Sequence, residues 1–180
     1  MPRLHLIRHG AIADSKDPDP ALSAIGRTQA ETVAAALAPK GPLPMFTSTF
    51  RRALETAAPL ARLWNVTPKP DRRLGELPPL PDSTFPTHSA WLEYARKRRW
   101  PEMHESLRRW RDQVVETLLE IQTDAVVVSH SIAINAAVAH ALHDDRVACF
   151  DPENGSCTIL DSDGKHLHVV QLGAQRVAKD

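Results

Sequence analysis

Two short apolar runs set the terms on which this chain can fold. Leu4-His5-Leu6-Ile7-Arg8 and Ala125-Val126-Val127-Val128-Ser129 are each of strand length, and the second is rich in β-branched residues. Near-continuous apolar runs of this kind read as parallel strands covered on both faces. Helical patterns fill the intervals, at 23 to about 37, about 50–63, about 101–121 and about 132–142. Strands thus alternate with helices, the pattern of an α/β protein. Met45-Phe46-Thr47 is a third candidate strand. Ser23 has the side chain of an N-cap for the first helix, and Thr47, Ser48 and Thr49 offer capping oxygens for the second. Near the C-terminus, Cys157-Thr158-Ile159-Leu160 and Leu167-His168-Val169-Val170 flank Asp161-Ser162-Asp163-Gly164, which reads as a hairpin closing one edge of the sheet.

Both apolar runs end in a histidine, His9 and His130, and each gives way there to small or polar residues. In open α/β sheets, ligands sit beyond the carboxyl ends of the strands, so two such histidines can share one crevice. Arg8-His9-Gly10 adds a fixed cation beside the imidazole, followed by a residue that permits close backbone approach. Thr47-Ser48-Thr49-Phe50-Arg51-Arg52 places an arginine in the first turn of a helix that follows a strand, where helix dipole and guanidinium act on the same anion. Val128-Ser129-His130-Ser131 repeats the theme at a second helix start. These features point to a phosphate.

The bulk numbers narrow the class further. The chain has 180 residues, 42% of them hydrophobic and 24% charged, which fits one ordinary globular domain. Lys plus Arg equals Asp plus Glu at 22 each, which excludes the strong overall field of a non-specific nucleic-acid binder. No run approaches the roughly 18 apolar residues of a spanning helix, and the N-terminus lacks a signal-peptide layout. The expectation is a cytoplasmic protein that engages neither membrane nor nucleic acid. Cys149 and Cys157 then read as buried free thiols.

Taken together, these pieces resemble the histidine phosphatase superfamily, in its phosphoglycerate-mutase-like branch. The resemblance rests on Leu6-Ile7-Arg8-His9-Gly10, on Leu22-Ser23-Ala24-Ile25-Gly26-Arg27-Thr28-Gln29-Ala30, on 48–57 with Arg52 in register, and on Val127-Val128-Ser129-His130. Asn154-Gly155-Ser156 is similar too, and the order and spacing also match. It implies a three-layer α/β/α sandwich with a mostly parallel central sheet. It also implies a single catalytic domain over 1–180, with an insertion rich in Pro, Trp and Arg at about 67–111.

The activity implied is metal-independent hydrolysis of a small phosphorylated substrate, without a cofactor, through a phosphohistidine on His9. Arg8, Arg52 and His130 would hold the phosphoryl oxygens, with Gly10 and Ser131 lining the substrate site. Glu76, in Leu74-Gly75-Glu76-Leu77, falls where the family carries its proton donor. The glycine-rich continuation common after that glutamate is replaced here by Pro78-Pro79-Leu80-Pro81, and Glu102 and Glu105 stay open as alternatives. The chain also departs from the family at Ala11, where many relatives are polar or acidic, and in a short 13–20 loop without the usual asparagine. A phosphoglycerate-type mutase, a protein phosphohistidine phosphatase and a non-catalytic phosphate-binding module are the other readings. Oligomeric state is left open.

Four further features have ordinary readings. Prolines at 68, 70, 78, 79, 81 and 86 make 67–86 a loop or lid. Arg96-Lys97-Arg98-Arg99, with Arg108, Arg109 and Arg111, reads as a solvated helix face, or else as an attractor for a polyanion. Trp91, Trp100 and Trp110 suit either a cleft mouth or the packing of a lid helix. His140 and His143 near Asp144 and Asp145, and the pair His166 and His168, lack the ligand spacing of a zinc site.

Overall fold

The structure, a computed structural model, describes residues 1–80 and 82–177. Pro81 and the last three residues of the domain expected over 1–180 therefore lie outside the described residues. Six strands form one sheet: β1 (Arg3–Arg8), β2 (Met45–Thr47), β3 (Lys69–Pro70), β4 (Ala125–Ser129), β5 (Cys157–Ser162) and β6 (Leu167–Gln171), in the spatial order β3-β2-β4-β1-β5-β6. The first four of that order are parallel, and the β5–β6 hairpin adds an antiparallel edge. The described residues form five α-helices, α1 (Ala24–Leu37), α2 (Arg51–Trp64), α3 (His88–Arg96), α4 (Glu105–Leu119) and α5 (Ser131–Leu142), of which all but α3 pack on the sheet.

Side-chain alternation along the strands explains the three layers. Leu4 and Leu6 with Ala125 and Val127 pack against α4 and α5, whereas Ile7 with Val126 and Val128 packs against α1 and α2. Val126, Val127 and Val128 are all fully buried, as a central parallel strand requires. A third apolar cluster lies off the end of the sheet, where Leu77, Trp91, Ala95, Trp100, Met103 and Leu107 close on Ile132 and Ala136 of α5. Among the described residues no helix is long and apolar enough to cross a membrane.

Local details refine the expectations. Ser23 caps α1, its Oγ accepting from Gly26 N at 3.0 Å. Thr47, Ser48 and Thr49 do not cap α2, whose N-cap is Phe50. Its first amide, Arg51 N, is met by Asp19 Oδ1 at 2.8 Å from across the cleft mouth. The helix expected from 101 begins at Glu105, because Pro101 sits in a separate 3₁₀ turn, Trp100–Glu102. β5 runs on through Asp161 and Ser162, since Ser162 buries its side chain. The turn falls instead at Asp163, whose carboxylate accepts from Lys165 N and His166 N. Among its described residues the proline-rich 67–86 segment holds only β3 and a 3₁₀ turn, Arg72–Leu74.

Candidate active site

Because β1 and β4 are adjacent and parallel with Arg8 opposite Ser129, the next residue of each strand emerges at the same place. His9 N donates to Ser129 O at 3.0 Å, and the His9 and His130 rings lie 5.1 Å apart, edge to face. His9 Nδ1 lies 2.8 Å from Gly10 O. A carbonyl only accepts, so Nδ1 carries the proton and Nε2 keeps its lone pair. Burial, then the charges of Arg52, Arg8 and Arg176, hold this imidazole neutral, with its pKa down to about 3.

Gly10 has a steric reason to be glycine. A Cβ there would meet Gly26 O at 2.5 Å, and a Cβ on Gly26 would meet Ala11 O at 2.0 Å. The start of α1 thus rests backbone to backbone on the loop after His9. Thr56 Oγ1 takes the Gly10 amide at 3.0 Å, and Asn154 Nδ2 donates to His9 O at 2.9 Å.

Two buried guanidinium groups flank the pair. Arg8 donates to Pro152 O and lies 3.9 Å from Asp151. Burial and the nearby Arg176 and Arg96 push its pKa to about 10, still charged at neutral pH. Arg52 stacks over Phe50 at 4.5 Å and lies 3.9 Å from Asp19. Its sequence neighbour Arg51 faces solvent and takes Glu55 at 2.7 Å, while Asp71 is held by Arg73. Neither carboxylate pairs with Arg52.

His130 is completely buried at the start of α5, with Nε2 2.7 Å from Ser48 Oγ and with Nδ1 lacking any partner. Burial, then His9 and the two arginines, push its pKa well below the usual range. Glu76 joins the cluster from the turn after Arg72–Leu74. Its Oε1 accepts from Leu77 N at 2.9 Å and from Ile132 N, in the first turn of α5, at 3.1 Å. Burial raises its pKa against the opposing pull of Leu77 N and of Arg96, Arg8 and Arg52. One crevice thus holds a neutral imidazole, two fixed cations, a second histidine and a carboxyl group biased toward protonation.

A family model described as the histidine phosphatase superfamily (branch 1) matches residues 4–175. The chain belongs to the histidine phosphatase superfamily. Its enzyme class is that of a phosphoric monoester hydrolase. A mycobacterial glucosyl-3-phosphoglycerate phosphatase, solved with VO3, is similar at 25% identity and a TM-score of 0.74, over 97% of this chain and 100% of that one. YhfR of Bacillus stearothermophilus shares the fold at 21% identity and a TM-score of 0.77, over 98% of each chain. The PE-PGRS family protein PE_PGRS11 of Mycobacterium tuberculosis is 39% identical over 74 residues, which is 37% of this chain and only 13% of that much longer protein.

Within this histidine phosphatase, the remaining expectations sort themselves by position. Glu102 accepts from Arg99 N and Glu105 pairs with Arg109, both exposed on the 100–109 stretch, so neither is tied to the crevice. Trp91 and Trp100 are core residues with 1% exposure and do not line a cleft mouth. The basic run is no single face. Arg98 lies over Tyr94 and Arg99 pairs with Asp145, while Arg96 turns inward to Ser131 Oγ at 2.6 Å and Asp151 at 3.1 Å. Ser131 therefore meets the site through Arg96. Cys149 and Cys157 are free and half-buried. Among the described residues no cluster of three or more His, Cys, Asp or Glu side chains is placed to hold a metal ion.

Sequence reasoning passed over Ser48 as a histidine partner, and it passed over Asp19, Asp151 and Arg176, while Arg96 stood only within a basic run read as a solvated helix face or an attractor for a polyanion. Ser48 and Asp19 were visible only as candidate cap and loop residues. The others reach the crevice through loops and a helix whose paths no local pattern encodes.

Proposed function

We propose that this chain hydrolyses a small phosphomonoester in two steps through a phosphohistidine on His9, without a metal ion, with 67–111 covering the crevice of one catalytic unit. His9 Nε2 attacks phosphorus. The N–P bond forms as the ester O–P bond breaks, and Glu76 gives its proton to the departing oxygen. Water then attacks the phosphohistidine, phosphate leaves, and Glu76 regains a proton. Arg8 and Arg52 are fixed cations for the equatorial oxygens and need no reorganisation during the reaction. With Ser48 Oγ donating to Nε2 of His130, the unpartnered Nδ1 carries the proton and serves as a donor to a phosphoryl oxygen, since buried polar atoms rarely go unpaired.

The observation that carries this reading is the convergence of His9, Arg8, Arg52, His130 and Glu76 in one buried crevice at the ends of β1 and β4. An imidazole held neutral by burial beside two arginines is a nucleophile at neutral pH, and a carboxyl group biased toward protonation is an acid. A module that only bound phosphate would gain more from a charged imidazole. Full-length similarity to a mycobacterial glucosyl-3-phosphoglycerate phosphatase supports a small phosphorylated substrate.

The test is hydrolysis of an aryl phosphate in excess chelator by the wild type and by His9→Ala. Wild-type turnover with a loss of at least about a thousandfold in the variant is expected. Equal rates in the two proteins would remove His9 from the mechanism.

A further inference from the structure

We propose that Arg96 is a specificity-determining residue whose guanidinium grips a second anionic group, a carboxylate or a further phosphate, on the leaving-group side of the substrate. The inference rests on the hydrolytic reading above and extends it. Arg96 closes α3, whose Trp91 and Ala95 are locked into the third apolar cluster, so its backbone is fixed rather than carried on a loose arm. Its Nη1 reaches Asp151 Oδ1 at 3.1 Å and its Nη2 reaches Ser131 Oγ at 2.6 Å. Asp151 is also the carboxylate 3.9 Å from Arg8, and Ser131 sits between His130 and Ile132, whose amide holds Glu76. Arg96 thus lies between the phosphoryl-binding Arg8 and the group that protonates the leaving oxygen, which is where the remainder of the substrate must extend.

Charge balance gives the site its preference. Arg8 and Arg96 share one carboxylate, Asp151, and burial keeps Glu76 toward its neutral form. A phosphoryl group held by Arg8 and Arg52 leaves Arg96 in surplus. Two contacts occupy only part of its set of five donors. Its side chain is 24% exposed, open enough to be reached and dry enough for a charged hydrogen bond to count. Arg176, whose Nη2 donates to Asn154 Oδ1 at 3.2 Å, adds positive charge on the same rim and acts on Arg8 and His9.

The test compares 3- and 4-carboxyphenyl phosphate with their carboxamide counterparts, which match them in shape and lack the charge. The wild type should favour at least one carboxylate ester by about tenfold or more in kcat/KM, the scale of one charged hydrogen bond. Arg96→Met should bring that ratio near one, mainly through KM, and Arg96→Lys should keep part of it. Asp151→Asn, which removes the competing carboxylate, should raise it. A structural role would slow both esters alike and leave the ratio where it was. Hydrolysis with a ratio indifferent to Arg96→Met and to Asp151→Asn overturns the assignment alone. A wild type that cleaves none of the four esters overturns the hydrolytic reading, and the Arg96 role falls with it.

Discussion

His9 and Glu76 are driven in opposite directions by one cause, the removal of water from a crevice floored by strand ends. Burial disfavours whichever form is charged, so the imidazole loses its proton readily and the carboxyl group keeps its own. The pH profile of kcat/KM, corrected for ionisation of the substrate, should therefore have no acid limb near 6.5, where an ordinary histidine titrates. Its fall should come toward about 3. The alkaline limb should report Glu76, above the ordinary carboxylate range, and Glu76→Gln should abolish that limb while lowering kcat by about 10²–10⁴. A corrected acid limb centred on 6.5 would show that His9 is solvated in the working enzyme. Arg8, His9, Arg52 and His130 were legible from the sequence because each sits at a strand end or a helix start, where local pattern and function coincide. Asp151 was not, and Arg96 was so only as one member of a basic run, because their meeting depends on how α3 packs against α5.

At the scale of elements, the proposed nucleophile His9 is held by a contact between a helix start and a loop. Gly26 lets α1 rest on the backbone of Ala11, and Gly10 faces Gly26 in return. Gly26→Ala forces the two segments apart, since backbone cannot swing aside as a side chain can. It should cost about 1–3 kcal/mol in urea unfolding, the usual scale of overpacking, and it should lower kcat because the displaced loop carries His9. A variant of full stability and full activity would refute the contact. Ser23 and Gly26 both lie in a motif readable in the sequence, yet only Ser23 had a local explanation as a cap. The need for glycine at 26 appears once α1 and β1 are placed together. The boundary errors share that logic. Asp19, remote in sequence, satisfies the first amide of α2, and the fold carries Asp161 and Ser162 into β5 despite their turn-like chemistry.

For the whole molecule, an arrangement that serves catalysis also makes folding depend on pH. The α/β alternation was legible in strand and helix periodicity, but the third apolar cluster around Trp91 and Trp100 was hidden among prolines and arginines. It closes over α5, whose first residues help to bury His130 and Glu76. His5, His9 and His130 all have pKa values lowered by burial. Above pH 6.5 neither the folded nor the unfolded chain protonates them. Below it, the unfolded chain takes up protons that the folded chain refuses, so stability falls with falling pH, for His9 down to about 3. At pH 5 the loss from His9 alone is about 2 kcal/mol. Glu76 has the opposite sign. The folded chain keeps its proton above the ordinary 4.5, so its contribution declines as pH rises through that window. Urea unfolding of the wild type and His9→Gln at pH 7.5 and pH 5 separates the two, because both proteins carry Glu76 and only one carries the imidazole. The wild type should lose about 2 kcal/mol more than the variant on acidification. Equal losses would mean that His9 is not held dry in the folded protein, and the neutral nucleophile would lose its physical basis.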